Sequence, residues 1–225
     1  MINQSKINFV FKEVQLLSNK DQSTGYVPPL KFDSYVQMAQ LDEVNSLLET
    51  YEGDTQSSDD ADFLKKTIVA SIPSNGEYTK PNDFLRWDSA EKYFTYTQNG
   101  VKYDSVTEVK LVKQNEVGLR LSTNIKRPTQ TSPICILRGD KLKFYPTDIG
   151  DVYLNYLKIP NAPSWGYVLT NNRPVFNQAS TVELEVGWDL IPNIIYRVCQ
   201  YLGIQVKRLD LVQTMQNKIN QETKG

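Results

Sequence analysis

The residues closest in spacing to a catalytic pair are Glu183 and Glu185, in the run Thr181-Val182-Glu183-Leu184-Glu185-Val186. Two carboxylates are enough for glycosidase-type acid and base work, and their alternation puts both on one face of a strand. The flanking sequence carries no pattern of a sugar cleft, so the simpler reading is a solvated strand face. The chain contains no His. That removes Ser-His-Asp and Cys-His nucleophilic sites, His-ligated zinc and haem, and any group titrating near neutrality without a large shift. Cys135 and Cys199 each sit in an apolar run and read as buried free thiols of a reducing compartment. No GxxxxGK[ST] phosphate loop, GxGxxG fingerprint or CxxC pair occurs. Eight acidic residues and no Lys or Arg lie between Asp42 and Asp62, but without the ligand spacing of an EF-hand. No catalytic residue, metal or cofactor is therefore expected.

The elements that must position these groups follow from periodicity. Ile7, Val10, Phe11, Val14 and Leu17 recur at helical spacing and predict a helix over 3–18. Pro28-Pro29 forms a stiff link into a second helix over 31–50, with Phe32, Tyr35, Val36, Ala39, Val44, Leu47 and Leu48 as its stripe. A third helix is expected over 59–70, its first turn carrying Asp59, Asp60 and Asp62. From Ile72 onward short β-type segments dominate: 93–96, 106–112, 118–121, 135–137, 141–145 and 152–157, with Asn99-Gly100 and Gly139-Asp140 as hairpin turns. Residues 159–180 read as an extended loop whose Trp165 and Tyr167 either anchor a partner or fold back onto the sheet. Ile194, Ile195, Val198, Cys199 and Leu202 predict a helix capped by Gly203, and a polar helix follows over 209–219.

The pattern is α+β: N-terminal helices and a C-terminal helix pair packed with a central antiparallel β-rich region, plus a projecting loop. The expected division is 1–72 with 190–225 as the helical part and 73–189 as the β-rich part. The chain has 225 residues, 23% charged and 40% hydrophobic, with 25 Lys plus Arg against 26 Asp plus Glu. This is a globular composition without the charge excess that blanket attraction to nucleic acid or membrane requires. Locally, 102–143 holds nine basic and four acidic residues, read as an exposed sheet face rather than a stacking platform for nucleic acid. The N-terminus reads as neither signal peptide nor membrane span, and a soluble protein made in a cytoplasm is expected.

The order of segments carries a resemblance. A helix ending in Asn19-Lys20-Asp21-Gln22 and Gly25, then a Pro-Pro link into a helix bearing Ala39-Gln40, resembles the opening of a set of bacteriophage connector proteins. Lys80-Pro81-Asn82-Asp83-Phe84 looks like their "P-x-D-[FY]" entry to the sheet. Thr131-Ser132-Pro133-Ile134 and Phe144-Tyr145-Pro146 are similar to their "P-I" and "[IF]-Y-P" segments. Val152-Tyr153-Leu154-Asn155-Tyr156-Leu157-Lys158-Ile159-Pro160 through Trp165 is similar to "V-x-L-x-Y-L-[RK]-x-P…P-x-W". The chain closes as they do, with Glu183-Leu184-Glu185-Val186 leading into a helix that ends at Leu202-Gly203-Ile204. The pattern resembles the ring or head-to-tail adaptor proteins of short-tailed phages, most closely those of crAss-like phages. Membership would imply a homo-oligomeric ring, usually of twelve copies, located in the virion below the portal. Its partners would be itself, the portal and the next tail or ring protein, with genomic DNA passing through unbound and no membrane involved. The expected interface residues are Asp59, Asp60, Asp62, Trp165, Tyr167, Lys207 and Arg208, with acidic 42–62 facing basic 102–143 of a neighbour. The reading kept beside this one is a carboxylate-dependent carbohydrate-active enzyme or carbohydrate-binding module.

Overall fold

The computed structural model of the protein describes residues 5–20, 26–50, 61–204, 213–215 and 217. The class is α+β, and the chain divides into two compact units, 1–63 with 160–225 and 64–159. The division leaves 160–189 with the helices and not with the sheets. The reason is that Trp165, Leu184 and Val186 are buried in the helical core.

In the helical unit, α1 (Lys6–Lys20) starts where the Ser5 hydroxyl accepts the Asn8 N–H at 3.2 Å, an N-cap. Helix α2 (Pro29–Thr50) opens on Pro29, whose missing N–H costs nothing in the first turn. The expected stripes are the buried ones: Ile7, Val10, Phe11 and Val14 from α1 and Phe32, Val36, Ala39 and Val44 from α2. They pack with Ile194, Ile195, Val198 and Cys199 of a later helix, residues Ile191–Tyr201. That helix ends at Gly203 in a left-handed conformation (φ 78°), with Gly203 N–H donating to Gln200 O and Ile204 N–H to Cys199 O. Strands β9 (Tyr167–Thr170) and β10 (Arg173–Phe176) form a hairpin over Asn171-Asn172, so the expected extended loop is partly a β-ribbon. Of the predicted helix 209–219, only 213–215 and 217 are described.

The other unit holds two four-stranded sheets. One has the order β1-β8-β3-β4, from Lys65–Ser71, Asp151–Lys158, Phe84–Gln98 and Val101–Glu108, antiparallel throughout. The other has the order β2-β7-β6-β5, from Glu77–Thr79, Lys141–Tyr145, Ile134–Arg138 and Lys110–Leu111, with β5 parallel to β6. Ala70, Ala90, Val152, Leu154 and Tyr156 of the first meet Cys135, Leu142 and Phe144 of the second in one apolar cluster. Ile134 and Ile136 point the other way, under α3 (Gln114–Ser122) and its Val117. The helix Ile191–Tyr201 is α4.

Four expected elements differ. Of the segment 59–70, predicted helical, 59 and 60 lie outside the described residues; 62–70 is a single turn at Asp62–Leu64 followed by β1, because Thr67-Ile68-Val69 is β-branched and pairs with β8 along its whole length. Residues 118–121, predicted as strand, lie in α3, where Val117 is buried and Arg120 reaches Glu116 at 3.4 Å one turn back. Residues 181–186 are extended as predicted but make only the single bridge Ser164–Val182. The run 106–112 is cut at Val109, whose N–H donates to Ala90 O, so the chain passes there from the first sheet to the second.

Candidate functional site

Strand β3 outgrows its sheet. β8 accompanies it only from Phe84 to Glu91, whereas β4 pairs with it from Glu91 to Gln98. Lys92–Gln98 and Val101–Thr107 therefore extend as a two-stranded arm, roughly 20 Å long at the rise of a strand. Its tip is the two-residue turn Asn99-Gly100, with φ of 52° and 78° at the two positions, the conformation that Asn-Gly favours. The turn fixes the register and sets Tyr96 opposite Tyr103. Their rings stack at 5.5 Å, and Phe94 lies 6.5 Å from Tyr96 on the same face. On the other face Thr95 donates to Asp104 at 2.9 Å, and Tyr93 meets Tyr153 of β8 edge-on at 4.8 Å. Tyr93, Tyr96, Val101, Tyr103 and Val106 are each 45–56% exposed. A lone hairpin is marginal in water, and this one leaves tyrosines exposed on both faces. Sequence reading missed it, although counting outward from Asn99-Gly100 gives the Tyr96–Tyr103 pair.

Of the predicted interface residues, Asp62, Trp165 and Tyr167 are described. Trp165 is a core residue, 4% exposed, stacked on Phe11 at 3.9 Å, with its indole N–H donated to Asn8 at 3.1 Å. Tyr167 stacks on Trp165 at 5.9 Å and keeps an exposed edge. Asp62 is exposed at the start of its turn. Asp59, Asp60, Lys207 and Arg208 lie outside the described residues, as do 51–58 of the acidic segment. The basic stretch is partly neutralised within the chain, since Lys141 and Lys143 approach Glu77 at 3.3 and 3.7 Å.

The carboxylates serve as clamps. Glu183 accepts the Ile7 N–H at 3.3 Å in the first turn of α1, where an anion suits the helix dipole. Glu185 accepts the backbone N–H of Asn161 at 3.0 Å and its side-chain amide at 2.8 Å. Asp33 accepts the Trp165 N–H and the Ser164 hydroxyl at 2.8 and 2.9 Å, and burial pushes its carboxyl above the usual range. Among the described residues no group of three or more His, Cys, Asp or Glu could hold a metal ion. Both cysteines are free and buried, and burial pushes the Cys199 thiol up to about 12 and the Cys135 thiol higher still. Neither is a nucleophile near neutrality.

Two of the phage-like motifs meet at Asp83. Its carboxylate accepts the Tyr156 hydroxyl at 2.8 Å and pairs with Lys66 at 2.7 Å, while its backbone carbonyl accepts the Ile159 N–H at 2.7 Å. Phe84 stacks on the Tyr156 ring at 5.3 Å. The hydrogen bond from Lys66 holds the Asp83 carboxyl below its ordinary value. Its stabilising contribution is thus present above the unfolded carboxyl pKa and is lost as pH falls through the lower, folded value. Asp83→Asn keeps an acceptor for Tyr156 and loses the carboxylate. In urea titrations its deficit against the natural chain should hold above about pH 5 and shrink as pH falls below about 4. Asp83→Ala, which deprives a buried hydroxyl of its acceptor, should cost about 1–3 kcal/mol at neutral pH.

No described helix is long and apolar enough to cross a membrane. In comparison with known proteins, the chain matches no protein-family model and no curated relative.

Proposed function

We propose that the protein is structural and not catalytic: a ring-forming connector of a short-tailed, crAss-like bacteriophage. It assembles as a homo-oligomer beneath the portal, joins head to tail and continues the DNA channel. The observation that carries this reading is the β3–β4 arm, a two-stranded projection whose exposed Tyr93, Tyr96 and Tyr103 suit a second protein surface. The motifs behind the resemblance add support. Asp83, Phe84 and Tyr156 tie one unit together and Trp165 fills the core of the other, as expected of signatures that maintain a scaffold. Near-neutral charge, 25 basic against 26 acidic residues, suits a lumen through which a genome slides without being gripped.

The test is native mass spectrometry and negative-stain microscopy of the purified protein, alone and with its cognate portal. Rings, free or seated on the portal, are the expected result. A monomer that ignores the portal and binds glycans would overturn the reading in favour of a carbohydrate module. Salt-sensitive binding to short DNA by such a monomer would favour a nucleic-acid binder.

A further inference from the structure

The first sheet of the β-rich unit ends in two different edges, β1 and β4, and neither has a second strand partner among the described residues. Open edges are templates for pairing with another chain. Building on the ring reading, we infer that β4 of one copy pairs with β1 of the next, so that a single antiparallel sheet runs from copy to copy.

Three features select a second copy of this chain as the occupant. The first is direction. The sheet has four strands in strict alternation, so β1 and β4 run opposite ways. A second copy in the same orientation therefore presents β1 antiparallel to β4, and the alternation continues across the seam. Because the edges differ, the contact is heterologous and builds a ring or filament rather than a two-fold dimer.

The second feature is face and register. Ala70 and Ile68 of β1 lie toward the core, and the same face of β4 carries Val101, Tyr103, Ser105 and Thr107. A continuous sheet must keep these faces together, because directly opposed residues share a face. The pairing that does so while using all of β1 sets Lys65 opposite Glu108, Val69 opposite Asp104 and Ser71 opposite Lys102. It sets Tyr103 opposite Ala70 and brings Lys65 and Glu108 together as opposite charges.

The third feature is stagger. Within one copy, Glu108 is level with Glu91, Tyr153 and Val69. Across the seam it would be level with Lys65, four positions lower on β1. Each copy of four strands is thus displaced by four residues along the strands, one residue per strand. In the eight-stranded TIM barrel the shear likewise equals the strand number, with strands tilted by about 36°. The overhang of the arm beyond β8 supplies this displacement.

The test uses Val69→Cys and Asp104→Cys, both at exposed strand positions, against the buried native cysteines. Under mild oxidation, a mixture of the two single variants should cross-link, each variant alone should not, and Val69→Cys/Asp104→Cys in one chain should give a ladder of multimers. The slipped combination Val69→Cys/Lys102→Cys should remain largely uncross-linked. Rings seen by microscopy without the 69–104 cross-link would overturn the edge pairing and leave the ring reading standing. A homodimer of either single variant would overturn the heterologous contact. Monomers that neither cross-link nor seat on the portal would overturn both.

Discussion

Trp165→Ala is expected to cost about 3–5 kcal/mol of folding stability, the range for emptying a large aromatic site in a core. The side chain stacks on Phe11 and Tyr167, lies 6.0 Å from Phe176 and donates its indole N–H to Asn8. Truncation opens a cavity among α1, α2 and the β9–β10 ribbon, and leaves the Asn8 side chain without that donor. Against a typical total of about 5–15 kcal/mol, this is enough to populate unfolded helical unit at growth temperature. Trp165→Phe preserves the stack and loses the indole N–H bond and some volume, so it should cost clearly less. Urea midpoints of the isolated chain measure both. The outcome separates two roles for this residue: an anchor for a partner would leave the free chain's stability unchanged on truncation, whereas a core residue would not.

Arg197→Ala should cost about 3 kcal/mol, the lower end for breaking an ion pair buried on one side. Glu43 of α2 is 6% exposed and accepts Arg197 Nε at 2.8 Å and the Asn193 amide at 2.8 Å. Arg197 also donates to Ser46 at 3.1 Å, and Asp42 receives the Tyr201 hydroxyl, whose pKa burial pushes up to about 12. All of these bonds join α2 to α4. Removing the guanidinium strands the Glu43 carboxylate in a desolvated seam with only the Asn193 amide of those two partners. Replacing both members with apolar residues, Glu43→Leu with Arg197→Met, avoids the stranded charge and should cost less than Arg197→Ala alone. Thermal melts of the three variants give the comparison. If the double variant proved the least stable, the seam would owe its strength to the ion pair itself.

The legible parts of the fold are those where one physical signal decides. The stripes of α1, α2 and α4, the Gly203 cap, the turns at Asn99-Gly100 and Gly139-Asp140, and the burial of both cysteines follow from apolar spacing and turn chemistry. Where signals compete, reading fails. The segment 62–70 holds apolar residues that fit either period, and its pairing with β8, some ninety positions away, decides for strand. Val106 to Val112 reads as one strand, yet Val109 hands the chain from one sheet to another. Glu183 and Glu185 show the alternation of a strand but are held by Ile7 and Asn161 instead of a ladder. Trp165 in a proline-rich stretch reads either as a partner anchor or as a residue folded back onto the sheet. Its burial depends on Phe11 and Asp33, more than 130 positions earlier, which local pattern does not reveal.

The central claim, a ring-forming connector, is tested most directly by imaging the portal–tail region of intact virions of the phage encoding this chain, at a resolution that traces side chains. The account predicts that this sequence fits a ring beneath the portal, with the β3–β4 arm of each copy against its neighbour. Density below the portal that fits other sequences, with this chain absent from the particle, would contradict it.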